Sequence, residues 1–308
     1  MSLHILNPIN PKVCPGAFTK FPPVPCYPFC WMRENMKAGQ ITDIDGFVIN
    51  EKQGLVTALM QRREYNSKDG KLVLEKSQVM GSLFRLESEP EWKLRCVLSE
   101  KLKVPFYIAL WPIDYPIIKA SQISEPVIVY QIKRENNQIN LQAEFKGDTN
   151  DLESFILKFR GRSFSSVKTF KVGMTMMECY LASKTQNPWP GNLDAAIWDD
   201  ELNSFAAIIE FKTHNYPQYP ISSQYFNQFP GDDRRYKAFD ILQNHLAKVS
   251  NKPKFVYAIW GTDESHKEVK LQTIDSLKAS HDSLIKRPEF TNATTKEFTE
   301  EVLRYIGA

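Results

Sequence analysis

Two acids and a lysine flank a pair of short apolar segments in the second half of the chain. Asp194 precedes the run Ala195–Trp198, and Glu210 and Lys212 end the run that begins at Phe205. A polar turn separates the runs, and this pattern predicts a β-hairpin. Because side chains alternate between the faces of a strand, Glu210 and Lys212 are predicted to share one face. Carboxylates beside an ammonium group are suited to holding a divalent cation next to a positive charge.

The predicted hairpin brings the two acids together. With the turn centred on Leu202, Asp194 and Glu210 are each eight residues from the centre and therefore oppose each other. Opposed residues of an antiparallel pair have Cβ atoms about 5 Å apart, a distance at which like charges repel. The sequence therefore predicts that a divalent cation, with help from Lys212, offsets this repulsion.

The Asp and Glu-x-Lys arrangement resembles the PD-(D/E)XK nuclease superfamily, which has the restriction-endonuclease-like fold. In that superfamily the hairpin carries the acids and the lysine, and a helix and a further strand follow. Here Asp233–Val249 has the apolar periodicity of a helix, and Phe255–Trp260 has the composition of a buried strand. The resemblance spans about residues 170–262 and departs from the motif name at Leu193, which stands where the proline would be.

A helix with an active-site glutamate often precedes the hairpin in that superfamily. Met174–Thr185 is the candidate for this helix, and Glu178 is its candidate acid. The resemblance therefore implies a site of four side chains, in which Glu178 is a further acid outside the metal's first ligands.

The resemblance also implies the chemistry, that of a Mg²⁺-dependent endonuclease hydrolysing phosphodiester bonds, with Mn²⁺ as a substitute. Asp194 and Glu210 would hold the metal together with the carbonyl oxygen of Phe211. Lys212 would orient the attacking water or stabilise the charge that grows on the phosphate. The predicted partner is nucleic acid, with DNA favoured over RNA.

Aromatic and basic residues follow the candidate site in sequence. Tyr216 and Tyr219 lie in the segment that leaves the lysine strand, and their rings could stack on nucleic-acid bases. Arg234, Arg235 and Lys237 come next and could contact phosphates. Two alternatives stay open at this point, because the tyrosines could pack on the protein itself and the basic residues could form a solvated helix face.

Two other interpretations of the hairpin also remain open. Glu-x-Lys occurs four times in the chain, and alone it is compatible with a solvated charge cluster on a surface hairpin. The chain could also be a non-catalytic module that binds nucleic acid or protein on a nuclease-like scaffold. The acid pair, Lys212 and Glu178 favour catalysis, because a purely structural role does not require them.

The chain contains an internal repeat. A shift of 149 residues places Asp45 on Asp194, and the order of predicted elements is kept over most of both halves. The sequence therefore predicts an α/β protein with two tandem restriction-endonuclease-like domains, 1–162 and 163–308, each with a mixed central sheet flanked by helices. Chance similarity of two ordinary hairpins is the alternative.

The candidate site is altered in the first half. Asp45 remains, but Gln61 replaces the second acid, Arg63 the lysine and Phe29 the helix glutamate. One carboxylate beside an arginine is a poor Mg²⁺ site, because hard cations bind several oxygen ligands. The first half is therefore predicted to be a degenerate copy with a structural or substrate-binding role. With one site per chain, a double-strand cut would need two chains or two events, so a homodimer is compatible with the sequence.

The composition is that of a globular protein. The chain has 308 residues, of which 42% are hydrophobic, and a net charge of +3, which permits an anionic partner without arguing for one. It has no run of about twenty apolar residues and no basic segment followed by an apolar one at the N-terminus, so we expect a cytoplasmic protein. We expect its five cysteines to be reduced.

Overall fold

A computed structural model describes most of the chain. The described residues are 4–6, 12–14, 28–66, 75–112, 126–164, 172–173, 175–216, 218–228, 232–263, 265–289 and 294–308. Structural statements below concern these residues.

The described residues form an α/β protein with two mixed sheets flanked by helices. The helices are α1 (Pro28–Asn35), α2 (Lys76–Leu86), α3 (Glu89–Leu102), α4 (Thr149–Arg160), α5 (Met176–Lys184), α6 (Asp233–Ala247) and α7 (Thr295–Ile306). The strands are β1 (His4–Leu6), β2 (Lys12–Val13), β3 (Ile41–Ile44), β4 (Gly46–Asn50), β5 (Leu55–Asn66), β6 (Phe106–Pro112), β7 (Val127–Glu135), β8 (Gln138–Gly147), β9 (Val172–Gly173), β10 (Leu193–Asp199), β11 (Ser204–Thr213), β12 (Lys254–Trp260), β13 (Glu268–Asp275) and β14 (Lys278–Lys286). The predicted hairpin, the helix after it and the following strand are confirmed as β10–β11, α6 and β12.

The chain forms two compact units. Unit 1 comprises Met1–Pro25 and Asp45–Asn192, and unit 2 comprises Cys26–Ile44 and Leu193–Ala308. The predicted halves, which divide between residues 162 and 163, describe the sequence repeat and stay a prediction. The compact units differ from those halves, because each unit takes a segment from the other half.

Unit 1 is built on a sheet with the strand order β1-β5-β6-β7-β8, in which β4 also pairs with β5. The β5–β6 pair is parallel and the other pairs are antiparallel. Helix α4 packs against β4, β5 and β8, and helix α3 packs against β5 and β7.

Unit 2 is built on a sheet with the order β14-β13-β12-β11-β10-β3. Here the β11–β12 pair is parallel, and α6 connects the two strands as a βαβ crossover. Helix α6 packs on β12 through Phe239, which stacks on Phe255 with ring centroids 4.8 Å apart. The crossover brings the start of α6 back towards the end of β11, where Glu210 and Lys212 lie.

The two hairpins pair in the same register. Gly46 opposes Met60 in the β4–β5 hairpin, and 149 residues later Ala195 opposes Ile209 in the β10–β11 hairpin. Both ladders shift register at the corresponding step, between Val48 and Ile49 in the first hairpin and between residues 197 and 198 in the second. The sequence repeat therefore has a geometric counterpart, down to the position of the bulge.

The parallel strand pairs repeat in the same way. Leu59 pairs with Phe106 across β5 and β6, and Ile208 pairs with Phe255 across β11 and β12. Both partners move by the same 149 residues. A one-residue slip would move every side chain to the other face of the sheet, so matching registers place corresponding side chains on corresponding faces.

The two units exchange the helix that precedes the hairpin. Helix α1, from the first half of the chain, belongs to unit 2, where the ring of Trp31 meets that of Trp260 at 5.6 Å. Helix α5, from the second half, belongs to unit 1, where Tyr180 meets Trp111 at 6.5 Å. The 149-residue shift places Trp31 on Tyr180 and Trp111 on Trp260, so the two contacts correspond. Each half therefore supplies its first helix to the sheet of the other half.

One expectation about the cysteines is wrong. Cys14 and Cys179 form a disulfide in unit 1, with Cα atoms 5.4 Å apart. The two-stranded ladder β2–β9 joins the segments next to both cysteines, which explains how residues so distant in sequence meet. Cys96 is a buried free thiol. Among the described residues, no helix is both long and apolar enough to cross a membrane.

Candidate active site

The end of the β10–β11 hairpin holds the predicted acid pair. Ala195 opposes Ile209, so the next step of the ladder carries Asp194 towards Glu210, as predicted. The carboxylate of Asp194 accepts a hydrogen bond from the backbone N–H of Phe211, with Oδ2 and N 2.8 Å apart. This bond fixes the orientation of Asp194 beside the strand that carries Glu210.

Glu210 is almost fully buried, with 4% of its surface exposed. Burial raises the pKa of Glu210 well above its ordinary value, because a charged carboxylate loses its hydration. The guanidinium of Arg235 works against this shift, and the nearby carboxylate of Asp194 adds to it. The interaction between the two acids is therefore one of the forces that set the protonation of Glu210.

Arg235 makes the direct ion pair with Glu210. Its Nη2 donates to Oε2 of Glu210 at 2.5 Å, and its Nε lies against Oε1, so the guanidinium engages both carboxylate oxygens. Arg235 lies in the first turn of α6, which the βαβ crossover brings to the end of β11. The sequence predicted a phosphate contact for this arginine, whereas the structure places it on the candidate catalytic acid.

Lys212 is held by a second ion pair with the start of α6. Its ammonium group bonds the carboxylate of Asp232, the residue just before the helix. The side chains of both residues are partly exposed, at 29% and 25%. Two side chains of β11, Glu210 and Lys212, are thus each bonded to one residue at the start of α6.

Comparison with protein-family models, curated proteins and solved structures finds no match for this chain.

The donor atoms at this site fit a hard divalent cation. Asp194 and Glu210 offer two carboxylates at one end of the hairpin, and Phe211 between the site's acid and lysine offers a backbone carbonyl. Mg²⁺ and Mn²⁺ prefer such oxygen ligands. Because Arg235 engages both oxygens of Glu210, the guanidinium must move aside before Glu210 can coordinate a metal.

Glu178, the fourth predicted site residue, lies in unit 1. It belongs to α5, and its carboxylate pairs with the guanidinium of Arg62 at 3.1 Å. The reason is the helix exchange, since the helix in the corresponding place of unit 2 is α1. At the position that matches Glu178, helix α1 carries Phe29, a buried apolar residue. Within unit 1, Glu178 is therefore the ion-pair partner of Arg62.

The other predicted substrate contacts lie at the surface. Arg234 and Lys237 are exposed on α6, and the rings of Tyr216 and Tyr219 are 45% and 55% exposed. The backbone carbonyl of Tyr219 is bonded to Nε2 of His214, which anchors the loop beside the end of β11. These groups are exposed at the surface, whereas Arg235 is engaged by Glu210.

Sequence reasoning missed Asp232 as a member of the site. Its pairing with Lys212 joins residues twenty positions apart in the sequence, and no periodic pattern predicts such a contact. The one available signal was the βαβ order, because a crossover helix between adjacent parallel strands begins near the end of the first strand.

The corresponding place in unit 1 repeats the backbone geometry with different chemistry. Oδ2 of Asp45 accepts from the backbone N–H of Arg62 at 3.0 Å, the counterpart of the bond between Asp194 and Phe211. Gln61 replaces the second acid and accepts from the backbone N–H of Asp45 at 3.1 Å. Arg63 takes the place of the lysine.

Arg63 fills the unit 1 counterpart with a fixed positive charge. Its Nη1 lies 2.6 Å from Oδ2 of Asp45, and its Nη2 donates to both oxygens of Glu87 at 2.7 and 2.8 Å. Arg95 also bonds Glu87, at 2.9 and 3.0 Å. Burial raises the pKa of Glu87, but the two guanidinium groups more than offset this and lower it to about 2. In unit 1, the place that corresponds to the candidate site of unit 2 is thus filled by a buried network of ion pairs.

Proposed function

We propose that this chain is a metal-dependent nuclease that hydrolyses phosphodiester bonds, with DNA as the favoured substrate and its active site in unit 2. The observation that carries the proposal is the meeting of Asp194 and Glu210 at the end of the β10–β11 hairpin, with Lys212 two residues further on. In this proposal both units have the restriction-endonuclease-like fold, and the shared register of their hairpins supports a common origin.

Each site residue has a distinct role in the proposed reaction. Asp194 and Glu210 would hold Mg²⁺ or Mn²⁺ with the carbonyl of Phe211, and the bound metal would activate water and neutralise charge on the phosphate. Lys212 would position the attacking water or stabilise the negative charge of the transition state. Its ammonium group is suited to this role, because it is a compact positive charge with three rotatable hydrogen-bond donors.

Exposed residues of α6 and of the segment after β11 would bind the nucleic acid. Exposed Arg234 and Lys237 on α6 would contact phosphates, and Tyr216 and Tyr219 would stack on bases of a distorted or single strand. Unit 1, in which arginines occupy the position of the cation, would serve a structural or substrate-binding role.

A cleavage assay tests the proposal. The protein is incubated with supercoiled duplex, linear duplex, single-stranded DNA and RNA, each with Mg²⁺, Mn²⁺ or chelator. We expect metal-dependent cleavage of at least one substrate by the wild type and none by Lys212→Met. Lys286→Met on β14 removes the same charge from an exposed strand and is expected to cleave like the wild type. Cleavage that persists in Lys212→Met, or no cleavage of any substrate, contradicts the proposal.

A non-catalytic binding module is the second candidate function. The observation that favours it is the pairing of Glu210 with Arg235, which leaves the acid engaged by a guanidinium, as Asp45 is in unit 1. Salt-sensitive binding of nucleic acid without cleavage of any substrate would support this candidate over the nuclease.

A further inference from the structure

Two ion pairs join the start of α6 to the end of β11. Nη2 of Arg235 donates to one oxygen of Glu210 and its Nε lies against the other, and Asp232 pairs with the ammonium of Lys212. Every charged side chain that the proposed function assigns to β11 is therefore bonded to the first turn of one helix or to the residue before it. These ion pairs connect the candidate site to one element, the N-terminal turn of α6.

The first turn of α6 is not stabilised in the usual way. Asp232 stands at the N-cap but makes no side-chain capping bond to the helix, because its carboxylate is directed to Lys212. Positive side chains at positions 234 and 235 lie near the helix N-terminus, where the helix dipole disfavours them. The pair between Arg235 and Glu210 offsets this cost, so these contacts hold the turn in place instead of a cap.

We propose that the first turn of α6 is an electrostatic latch over the metal-binding acids, and that nucleic-acid phosphate opens it. This inference rests on the proposed function and adds a regulatory step to it. Phosphate oxygens accept the same bidentate hydrogen bonds from a guanidinium as a carboxylate does, so Arg235 exchanges Glu210 for a backbone phosphate. The freed carboxylate of Glu210 then joins Asp194 as a metal ligand.

The exchange couples the two ligands. A divalent cation alone competes with Arg235 for Glu210, and nucleic acid alone competes with Glu210 for Arg235. When both are present, the guanidinium goes to the phosphate and the carboxylate goes to the metal, so neither competition remains. Each ligand therefore raises the affinity for the other by the same factor, as thermodynamic linkage requires.

Metal titration with and without nucleic acid tests the latch. The affinity for Mn²⁺ is measured by calorimetry for the wild type, Arg235→Met and Arg235→Lys, alone and with a hydrolysis-resistant phosphorothioate duplex. Arg304→Met removes the same charge from an exposed position of α7, outside the proposed site, and is the matched control. Circular dichroism and thermal unfolding confirm that each variant is folded.

The latch predicts a specific pattern of affinities. Without nucleic acid, Arg235→Met binds Mn²⁺ on the order of tenfold more tightly than the wild type, and Arg235→Lys lies between them. The duplex raises the affinity of the wild type and of Arg304→Met by a similar factor, but it leaves that of Arg235→Met nearly unchanged.

Three results would separate the latch from the function on which it rests. Equal Mn²⁺ affinity in the wild type and Arg235→Met, with clear binding in both, overturns the latch and leaves the nuclease proposal standing. If Arg235→Met does not fold, equal affinity in the wild type and Arg235→Lys has the same meaning. Absence of Mn²⁺ binding in every folded variant, with and without the duplex, overturns the metal site itself.

Discussion

Lys212 and Arg63 stand at corresponding positions of the repeat and show how one side chain changes what a site can do. Lys212 is partly exposed and bonds one carboxylate, whereas Arg63 is buried and bonds both Asp45 and Glu87. A lysine ammonium is a compact point charge, whereas a guanidinium is a planar group that can bond two carboxylates at once. The same backbone position therefore suits the role proposed for Lys212 in unit 2 and a fixed ionic network in unit 1.

Lys212→Arg tests this difference at the residue scale. The variant keeps the positive charge and a partner for Asp232, but it introduces the planar group found in unit 1. We expect the rate of phosphodiester cleavage to fall by about 10²–10³-fold, the usual loss when a group that stabilises developing charge is removed. Mn²⁺ affinity, measured with the phosphorothioate duplex, should change little. Cleavage at the wild-type rate would show that Lys212 contributes only its charge.

Glu87 predicts how unit 1 responds to acid. Its pKa in the folded state is about 2, below the ordinary value of 4.5. The charged carboxylate therefore stabilises the fold fully at pH values above about 4.5. That stabilisation is lost as the pH falls from about 4.5 to about 2, because the unfolded state takes up the proton first. The shift corresponds to about 3 kcal/mol. The free energy of unfolding of the wild type and of Glu87→Gln, measured with a chemical denaturant over this pH range, gives the size of the stabilisation. The same pH dependence in both proteins would contradict the ion pairs of Glu87 with Arg63 and Arg95.

At the scale of elements, the exchanged helices determine which side chains reach each sheet. Helix α1 places Trp31 against Trp260 and Phe298 in unit 2, and helix α5 places Glu178 beside Arg62 in unit 1. The exchange therefore assigns the helix glutamate to unit 1 and the acid pair of the same half of the chain to unit 2. In unit 2, the matching position of helix α1 carries Phe29.

Removing the two aromatic anchors tests the exchange. Trp31→Ala should lower the stability of unit 2 by about 3–5 kcal/mol, the usual cost of truncating a large buried aromatic residue. Tyr180→Ala, its counterpart in α5, should instead lower the stability of unit 1. Hydrogen exchange of backbone amides in β12 and β6 distinguishes the two effects. Loss of protection in β6 and not in β12 after Trp31→Ala would show that each half keeps its own helix.

Replacing Asp45, the unit 1 counterpart of Asp194, tests whether unit 1 takes part in the proposed cleavage. Asp45→Asn should leave the rate of cleavage and Mn²⁺ affinity unchanged, because arginines occupy that position. It should lower the stability of unit 1 on the order of 3 kcal/mol, since Arg62 and Arg63 lose a largely buried anionic partner. Activity assays and chemical unfolding measure the two effects. Complete loss of cleavage in a folded variant would assign a catalytic role to unit 1.

Over the whole molecule, sequence periodicity predicted the elements but not their exchange. The two apolar runs and the polar turn between them were sufficient to predict the hairpin register, because a turn centred on Leu202 sets Asp194 opposite Glu210. The helix exchange could not be predicted, since Trp111 and Trp260 are the same residue type and each is a suitable partner for Trp31. Local sequence does not state which of two equivalent sheets a helix will join.

The candidate site could also be predicted only in part from the sequence. Asp194, Glu210 and Lys212 could be selected from the sequence because they share one hairpin. Their partners Asp232 and Arg235 meet them only through the βαβ crossover, a contact that depends on the path of the chain between β11 and α6. The disulfide between distant cysteines also depends on tertiary structure and leaves no local signal.

Calorimetric titration of Mn²⁺ in the presence of the phosphorothioate duplex tests the central claim most directly, with the wild type, Glu210→Gln and Asp45→Asn compared. We predict that the wild type and Asp45→Asn bind the metal alike and that Glu210→Gln does not bind it, because the amide removes a charged ligand from unit 2 only. Unchanged metal affinity in a folded Glu210→Gln variant, or no binding by the wild type, would contradict a metal-dependent active site at the end of the β10–β11 hairpin.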